Sequence, residues 1–338
     1  MNKITKLGVS ALCGSLAAVS SANAGTLAVT GGVDLSWLSM DDENVGNPIG
    51  MGSNVGFSGS GELDNGWGVA LSIAYTNKAG YSSSNVTVTI PSMGDLIITQ
   101  GGTGTGIDRL DDVTPNVWEE AYASGLSNGI NTVNGASGGA GFEFTPNTDV
   151  LPEGMTMRFS WSPDASAGSN NDKVYSGSGV TTGSGYDVTL ELTDAITGMT
   201  GLTVGGGFSE VKQSGATNYD GDREEQTLYV KYAIGDFTLG YQWSEEDLGM
   251  SASEQEYEND GYGITFQIND DLSVGYNSYE SKQTSTTNVT NEASSMQVAY
   301  SAGGASVRLM RASADNMDYS TAATQDRDNT VISVSLAF

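Results

Sequence analysis

The sequence predicts an all-β protein: a transmembrane, antiparallel, up-and-down β-barrel of about sixteen strands with one long loop folded inward. Three observations carry that reading. Short segments alternate apolar and polar residues at period two, with turn signals about every ten residues. The connections also alternate in length. Those after even-numbered segments are mostly short, and those after odd-numbered segments are longer and acidic or rich in Ser and Thr, which separates the two ends of a barrel. Finally, one stretch, Gly101 to Gly139, breaks the alternation altogether. The composition agrees, with 46 glycines, 6 prolines and only 38% hydrophobic residues, as strands apolar on one face require.

The chain opens with Lys3 and Lys6 before an apolar run from Leu7 to Val19, and Ala22-Asn23-Ala24 is a small-x-small cleavage site. That is the pattern of a secretory signal peptide over 1–24, too short and wrongly flanked for a spanning helix. Residues 25–338 form the expected barrel. Cys13, the one cysteine, falls in the leader behind a Leu12 too bulky for a lipoprotein cleavage box. Without Lys3 and Lys6 the chain has 11 basic residues against 41 acidic ones, a net charge of −30. That sign excludes nucleic acid as a partner.

From Thr26 the alternation is plain: Leu27, Val29, Gly31, Val33, Leu35 and Trp37 share one face, and Thr30, Gly32, Asp34 and Ser36 the other. Successive side chains on a strand point to opposite sides, so one face is greasy and the other wet. A second segment sets Val55, Phe57, Gly59, Gly61 and Leu63 against Ser58, Ser60 and Glu62. Asp64-Asn65-Gly66 then turns the chain into Trp67 to Tyr75. Strands follow near 84–91 and 95–101, and after them the long insert. Phe142 and Phe144 mark the sixth strand, and Met155 to Trp161 the seventh. The eighth carries Tyr186 to Leu192 and the ninth Leu202 to Phe208. Leu228 to Ile234 turn at Gly235-Asp236 into Phe237 to Trp243, and Tyr262 to Ile268 turn at Asn269-Asp270-Asp271 into Leu272 to Tyr276. Met296 to Tyr300, a turn at Gly303-Gly304, Ala305 to Leu309 and Ile332 to Phe338 complete the set. In hydrocarbon every backbone polar group must pair internally, so the first strand (26–38) and the last (329–338) should pair and close the sheet. Aromatics near strand ends, Trp37, Trp67, Trp161 and Tyr262 among them, suit interfacial girdles.

The opening TLAVTGGVDLSWL, the segment GFSGSGELDNGWGVALSIAY, the insert after the fifth strand and the terminal VISVSLAF resemble the general diffusion porins of Gram-negative bacteria. The resemblance spans the whole mature chain. It implies a sixteen-stranded, usually trimeric barrel in the outer membrane, whose third outer loop forms an eyelet for small hydrophilic solutes. By position the insert matches that loop, so Asp108, Arg109, Asp111, Asp112, Glu119 and Glu120 are the expected constriction residues. Phe338 resembles the terminal signal read by the barrel-assembly machinery. One departure stands out: the arginines that usually face the acidic loop from the early strands are missing. Lumen parity gives Asp34, Glu62, Glu143, Asp187 and Glu191 as acidic wall residues, with Arg158, Lys231 and Arg308 as basic ones.

Catalytic and cofactor sites find little support, and neither an enzyme nor a bound cofactor is expected. The chain has no histidine, which excludes His-based triads and His-ligated metals. The glycines of GGTGTGID lack the spacing and the strand-then-helix context of a dinucleotide site. Asp41, Asp42, Glu43, Glu245, Glu246 and Asp247 fall in or beside expected outer loops. They are candidate oxygen ligands for calcium, either between neighbouring loops or bridging to lipopolysaccharide of the surrounding lipid. Against this stands the plainer reading of a solvated acidic surface. The functional expectation is a passive, cation-preferring aqueous pore. A substrate-specific channel, and a non-conducting surface binding or adhesive β-protein, remain the alternatives.

Overall fold

The computed structural model describes residues 24–41, 46–77, 80–100, 104–126, 128–136, 140–165, 182–213, 221–250, 256–284 and 288–337. The leader up to residue 23, Asp42, Glu43 and Phe338 lie outside the described residues. Sixteen strands form one closed antiparallel barrel in sequence order. They are β1 (Ala24–Met40), β2 (Ile49–Glu62), β3 (Gly68–Thr76), β4 (Gly80–Ile90), β5 (Gly94–Gln100), β6 (Gly141–Pro146), β7 (Met155–Ser162) and β8 (Thr182–Leu192). The second half comprises β9 (Leu202–Gln213), β10 (Arg223–Ile234), β11 (Phe237–Asp247), β12 (Glu256–Gln267), β13 (Leu272–Thr284), β14 (Val289–Ala302), β15 (Ala305–Asp315) and β16 (Arg327–Ala337). Closure is by β1 on β16, with Leu35 opposite Val334 and Trp37 opposite Ile332.

The apolar positions at period two face outward. Val29, Met51, Leu228 and Met296 are more than half exposed, a belt that in water would drive aggregation and in lipid is the favourable surface. Cross-strand aromatic pairs strengthen it: the Phe237 and Phe266 rings lie 4.5 Å apart, and those of Phe142 and Trp161 stack at 6.2 Å. The start of β1 and the end of β16 lie at one end of the barrel, together with tight turns such as 235–236 and 303–304. At the other end β4 starts at Gly80, four residues before the expected Ser84, so the second long connection shrinks to 77–79. Its polar Ser82-Ser83-Ser84 run carries no apolar alternation that would have shown the strand.

The dry core is not in a sheet sandwich but on the inner wall. Leu126 packs with Met310, Ala312, Ala314 and Met317, and Ala121 with Tyr279 and Ala293. One partner in each cluster comes from the long insert between β5 and β6.

Candidate functional site: an insert seated on the inner wall

Between Gln100 and Gly141 the chain enters the barrel and follows its inner surface. The outgoing limb passes from β6 toward β16, and the returning limb comes back to β8. Among its described residues two short 3-10 turns, Gly106–Leu110 and Ala121–Ala123, interrupt its irregular course. A buried segment of this kind leaves backbone donors and acceptors that need partners. The wall supplies them in two chemical classes.

Carboxylates on β6, β8 and β10 take the insert's N–H groups. Glu143 accepts from the Gly106 amide at 2.7 Å, Asp187 from Ala136 at 2.9 Å, and Glu225 from Asn134 at 3.3 Å and from Gly135. Side-chain amides on β11–β16 serve the insert's carbonyl oxygens. Gln242 donates to Leu110, Asn277 to Glu119 (3.1 Å), Asn329 to Ser124 (2.7 Å), Asn291 to Asn128 (2.6 Å) and Asn259 to Asn131 (2.9 Å). Gln297 does both, accepting from the Trp118 amide at 3.0 Å while donating to the Glu119 carbonyl. An amide can play both parts, a carboxylate only the acceptor's.

Glycines on the wall make room for this contact. A side chain on Gly240 or Gly263 would run into Pro115 of the insert. Within the insert, Gly106 has φ +60°, and a Cβ there would collide with the Asp187 carboxylate. Only a glycine takes that backbone conformation freely.

The expected constriction residues separate into different environments. Arg109 does not oppose the insert's acids across the lumen. It turns to the wall and pairs with Glu143, Nη2 to Oε1 2.7 Å, where the carboxylate is fully buried. Glu120 is only 6% exposed and accepts from Asn116. Asp112 is exposed, while Asp108, Asp111 and Glu119 are half-buried. Burial raises Asp108, Asp111, Glu119 and Glu120. Asp111 is pushed up to about 8, first by desolvation and then by the charges of Asp112 and Asp108. Glu120 is pushed up to about 7, mainly by desolvation. Asp108 and Glu119 shift in the same direction for the same leading reason, with Arg308 pulling Glu119 back.

Of the expected wall residues, Glu143 and Asp187 face inward as parity requires, but the insert covers them, with exposures of 0% and 2%. They are anchors rather than wetted wall charges. Asp34 accepts from Ser333, from Ser335 at 3.0 Å and from Arg308 at 3.4 Å. The Arg308 guanidinium also lies 5.9 Å from the centre of the Trp118 ring, so it does meet the insert. Arg158 pairs with Glu191, which also accepts from the Tyr229 hydroxyl at 2.6 Å. Glu62 is exposed at the end of β2 beside the start of β1. Lys231 lines a cavity with Asp112.

Among the described residues the candidate calcium ligands do not converge. Glu246 faces inward, almost buried and bound by Asn131, whereas Glu245 and Asp247 have the opposite parity on β11. Asp41 is paired with Arg311. Sequence reasoning gave Glu246 a different role, and missed Glu225, Arg223 and the amides Gln242, Asn259, Asn277, Asn291, Gln297 and Asn329. A signal for the amides existed: the inward faces of the four neighbouring strands β11–β14, and of β16, each carry an Asn or Gln.

A family model described as Gram-negative porin matches residues 8–301. No curated protein sequence matches the chain. Among solved structures, OmpF of Salmonella typhi in complex with daunomycin is similar at a TM-score of 0.70 and 12% identity, over 93% of this chain and 98% of that one. An anion-selective porin from Comamonas acidovorans has a TM-score of 0.67 at 13% identity, over 93% and 100%. A loop-deleted form of the outer membrane protein OmpT of Vibrio cholerae has 0.66 at 13%, over 94% and 100%. At these identities the likeness is one of fold.

Proposed function

The chain belongs to the Gram-negative porin family, and from that premise we propose that this outer-membrane diffusion channel prefers cations and passes small hydrophilic solutes without a chemical step. One observation carries the preference. The insert carries Asp108, Asp111, Asp112 and Glu119 at least partly exposed, with Glu120 buried beside them, while its own Arg109 is paired with Glu143. Wall cations offset little, because Arg158 and Arg308 are matched by Glu191 and Asp34. Acidic rings in a narrow, low-dielectric passage concentrate cations. The fold alone does not set the sign, since a neighbour of the same architecture is named anion-selective. The test is the reversal potential across a planar bilayer in a KCl gradient. A cation-selective sign that weakens when Asp111, Asp112, Glu119 and Glu120 are changed to Asn or Gln supports the reading; an anion-selective sign overturns it.

Assembly as a homotrimer is part of the same proposal. Gly59 on the outward face of β2 leaves open space around its Cα, and neighbouring Gly31, Val33 and Gly61 keep that face low. A solved OmpT of Vibrio cholerae is described in a trimer form. Unboiled protein should migrate as a trimer on a denaturing gel. Export by the leader, assembly through the terminal Phe338 and contact with lipopolysaccharide complete the expected biology.

A further inference from the structure

The connection from β15 to β16 reaches the insert and lies against it. Three successive residues, 317–319, make the contact. Met317 is buried against Leu126. The Asp318 amide donates to the Asn128 carbonyl at 2.8 Å. The Tyr319 hydroxyl accepts from the Asn131 amide at 3.3 Å and is hydrogen-bonded to Ser281 of β13 at 2.7 Å. Its ring centre lies 5.3 Å from that of Tyr257 on β12. The approach is close: Gly129 has φ +74°, and a Cβ there would collide with the Asp318 carboxylate. Residues 128–131 of the insert are therefore held twice, by Asn259 and Asn291 of the wall and by this strap.

The strap holds an unfavourable backbone at the point of contact. Asn316, Asp318 and Tyr319 have φ of +53°, +54° and +55°. Asn and Asp visit that region at modest cost, but a tyrosine there is an outlier. Such conformations persist only where surrounding contacts over-determine them. Here those contacts, at the hydroxyl and ring of Tyr319, include the one that positions the insert. Grip and strain are thus coupled. When the hydroxyl lets go, the backbone is free to relax, and relaxation draws the Asp318 amide and Met317 away from the insert. A segment tied in this way is either seated or released, because packed contacts are bistable rather than continuously deformable.

We infer that Tyr319 and Asp318 are positioning residues of the constriction, and that their strained connection makes the seat of the insert a two-state latch. The inference rests on the diffusion-channel reading and names what sets the width of that channel. In the released state residues 128–131 keep only their wall contacts, and the channel passes to a larger conductance level. Each of the two hydrogen bonds of the Tyr319 hydroxyl is modest by itself. Losing both should raise the released share of time about tenfold.

The experiment is single-channel recording in planar bilayers, read as the share of time spent at each conductance level. Tyr319→Phe keeps the ring on Tyr257 and removes both hydrogen bonds, so the larger level should gain about tenfold. Asp318→Gly keeps the amide that meets Asn128 and frees the backbone to hold a positive φ. It should cut the larger level about threefold, and added to Tyr319→Phe it should reverse part of that change. An unstrained anchor would respond the other way, because glycine would loosen it. Unboiled gel mobility checks that each barrel is folded, and Ser281→Ala, which removes one of the two bonds from the wall side, should raise the larger level by a smaller factor. Wild-type dwell times in Tyr319→Phe, or a larger level that gains in Asp318→Gly, overturn the latch while leaving the channel intact. Folded protein that carries no stepwise current would instead overturn the channel reading itself.

Discussion

Two unequal parts of the barrel's inner wall are built to different rules. On β1–β5 the inward positions are small and mostly neutral: Gly50, Gly52, Gly56, Ser58, Ser60, Ala70, Ser72 and Ala74. On β6–β16 they are carboxylates and amides, many fully buried, including Glu143, Glu225, Asn277, Asn291 and Asn329. The first part offers an irregular backbone few partners; the second offers acceptors and donors in the order the insert needs them. The difference teaches why the insert lies along one side of the lumen instead of crossing it. A segment without its own hydrogen-bond ladder goes where its polar backbone groups are met.

The strongest way to break this asymmetry is to remove the acceptors of the returning limb. Asp187→Ala with Glu225→Ala leaves the amides of Asn134, Gly135 and Ala136 without partners, at about 1–3 kcal/mol for each buried donor. The expected outcome is a folded barrel with a released insert: larger, noisier single-channel current while the unboiled protein keeps the wild-type gel mobility. Unchanged conductance would show that the amides on β11–β16 hold the insert alone. Arg109→Met should come next. It leaves Glu143 buried without its counter-charge, a change on the order of 3 kcal/mol, tempered because Arg109 is a third exposed. A lowered denaturant midpoint, recovered in part by adding Glu143→Gln, is the expected reading.

The electrostatic side of the comparison can be sharpened with pH. Because burial lifts Asp111 to about 8 and Glu120 to about 7, both gain charge as pH rises through those values and lose it as pH falls. Cation preference should therefore increase from about pH 6 to about pH 9, and the increase should vanish in Asp111→Asn with Glu120→Gln. A preference that is flat or falls over that window would contradict the burial of these acids. The smallest effect is expected on the bare part of the wall. Ser58→Ala with Ser60→Ala touches no insert contact and should shift stability by no more than about 0.5 kcal/mol, with conductance close to wild type.

Much of the barrel was legible in the sequence. The strict alternation Leu228, Val230, Tyr232 and Phe237, Leu239, Tyr241 gives both strand positions and the outward face. The inward parity of Asp34, Arg158, Lys231 and Arg308 follows from the same count. Coverage was not legible. Whether Glu143 and Asp187 meet water depends on the path of a segment that returns from far along the chain, and local pattern says nothing of that path. Arg109 is the sharpest case. In the sequence it is the lone opposing charge among the insert's acids, yet it meets a glutamate 34 positions away. The row of inward Asn and Gln on β11–β14 was visible but had no meaning until the unpaired backbone beside it was known.

Apart from the Arg109–Glu143 pair, the Asn131–Glu246 bond and the packing of Leu126 and Ala121, the wall grips the insert mostly through its main chain, at Gly106, Leu110, Trp118, Glu119, Ser124, Asn128, Asn131, Gly135 and Ala136. Peptide groups are the same in every residue but proline, so the grip is largely indifferent to which side chains stand on the free edge. Asp108, Asp112 and Glu119 could be exchanged for residues of another sign without disturbing the contacts that hold the segment in place. The architecture thus separates the scaffold's persistence from the filter's content. A lineage built on it can retune what it admits one residue at a time, never passing through an unseated intermediate.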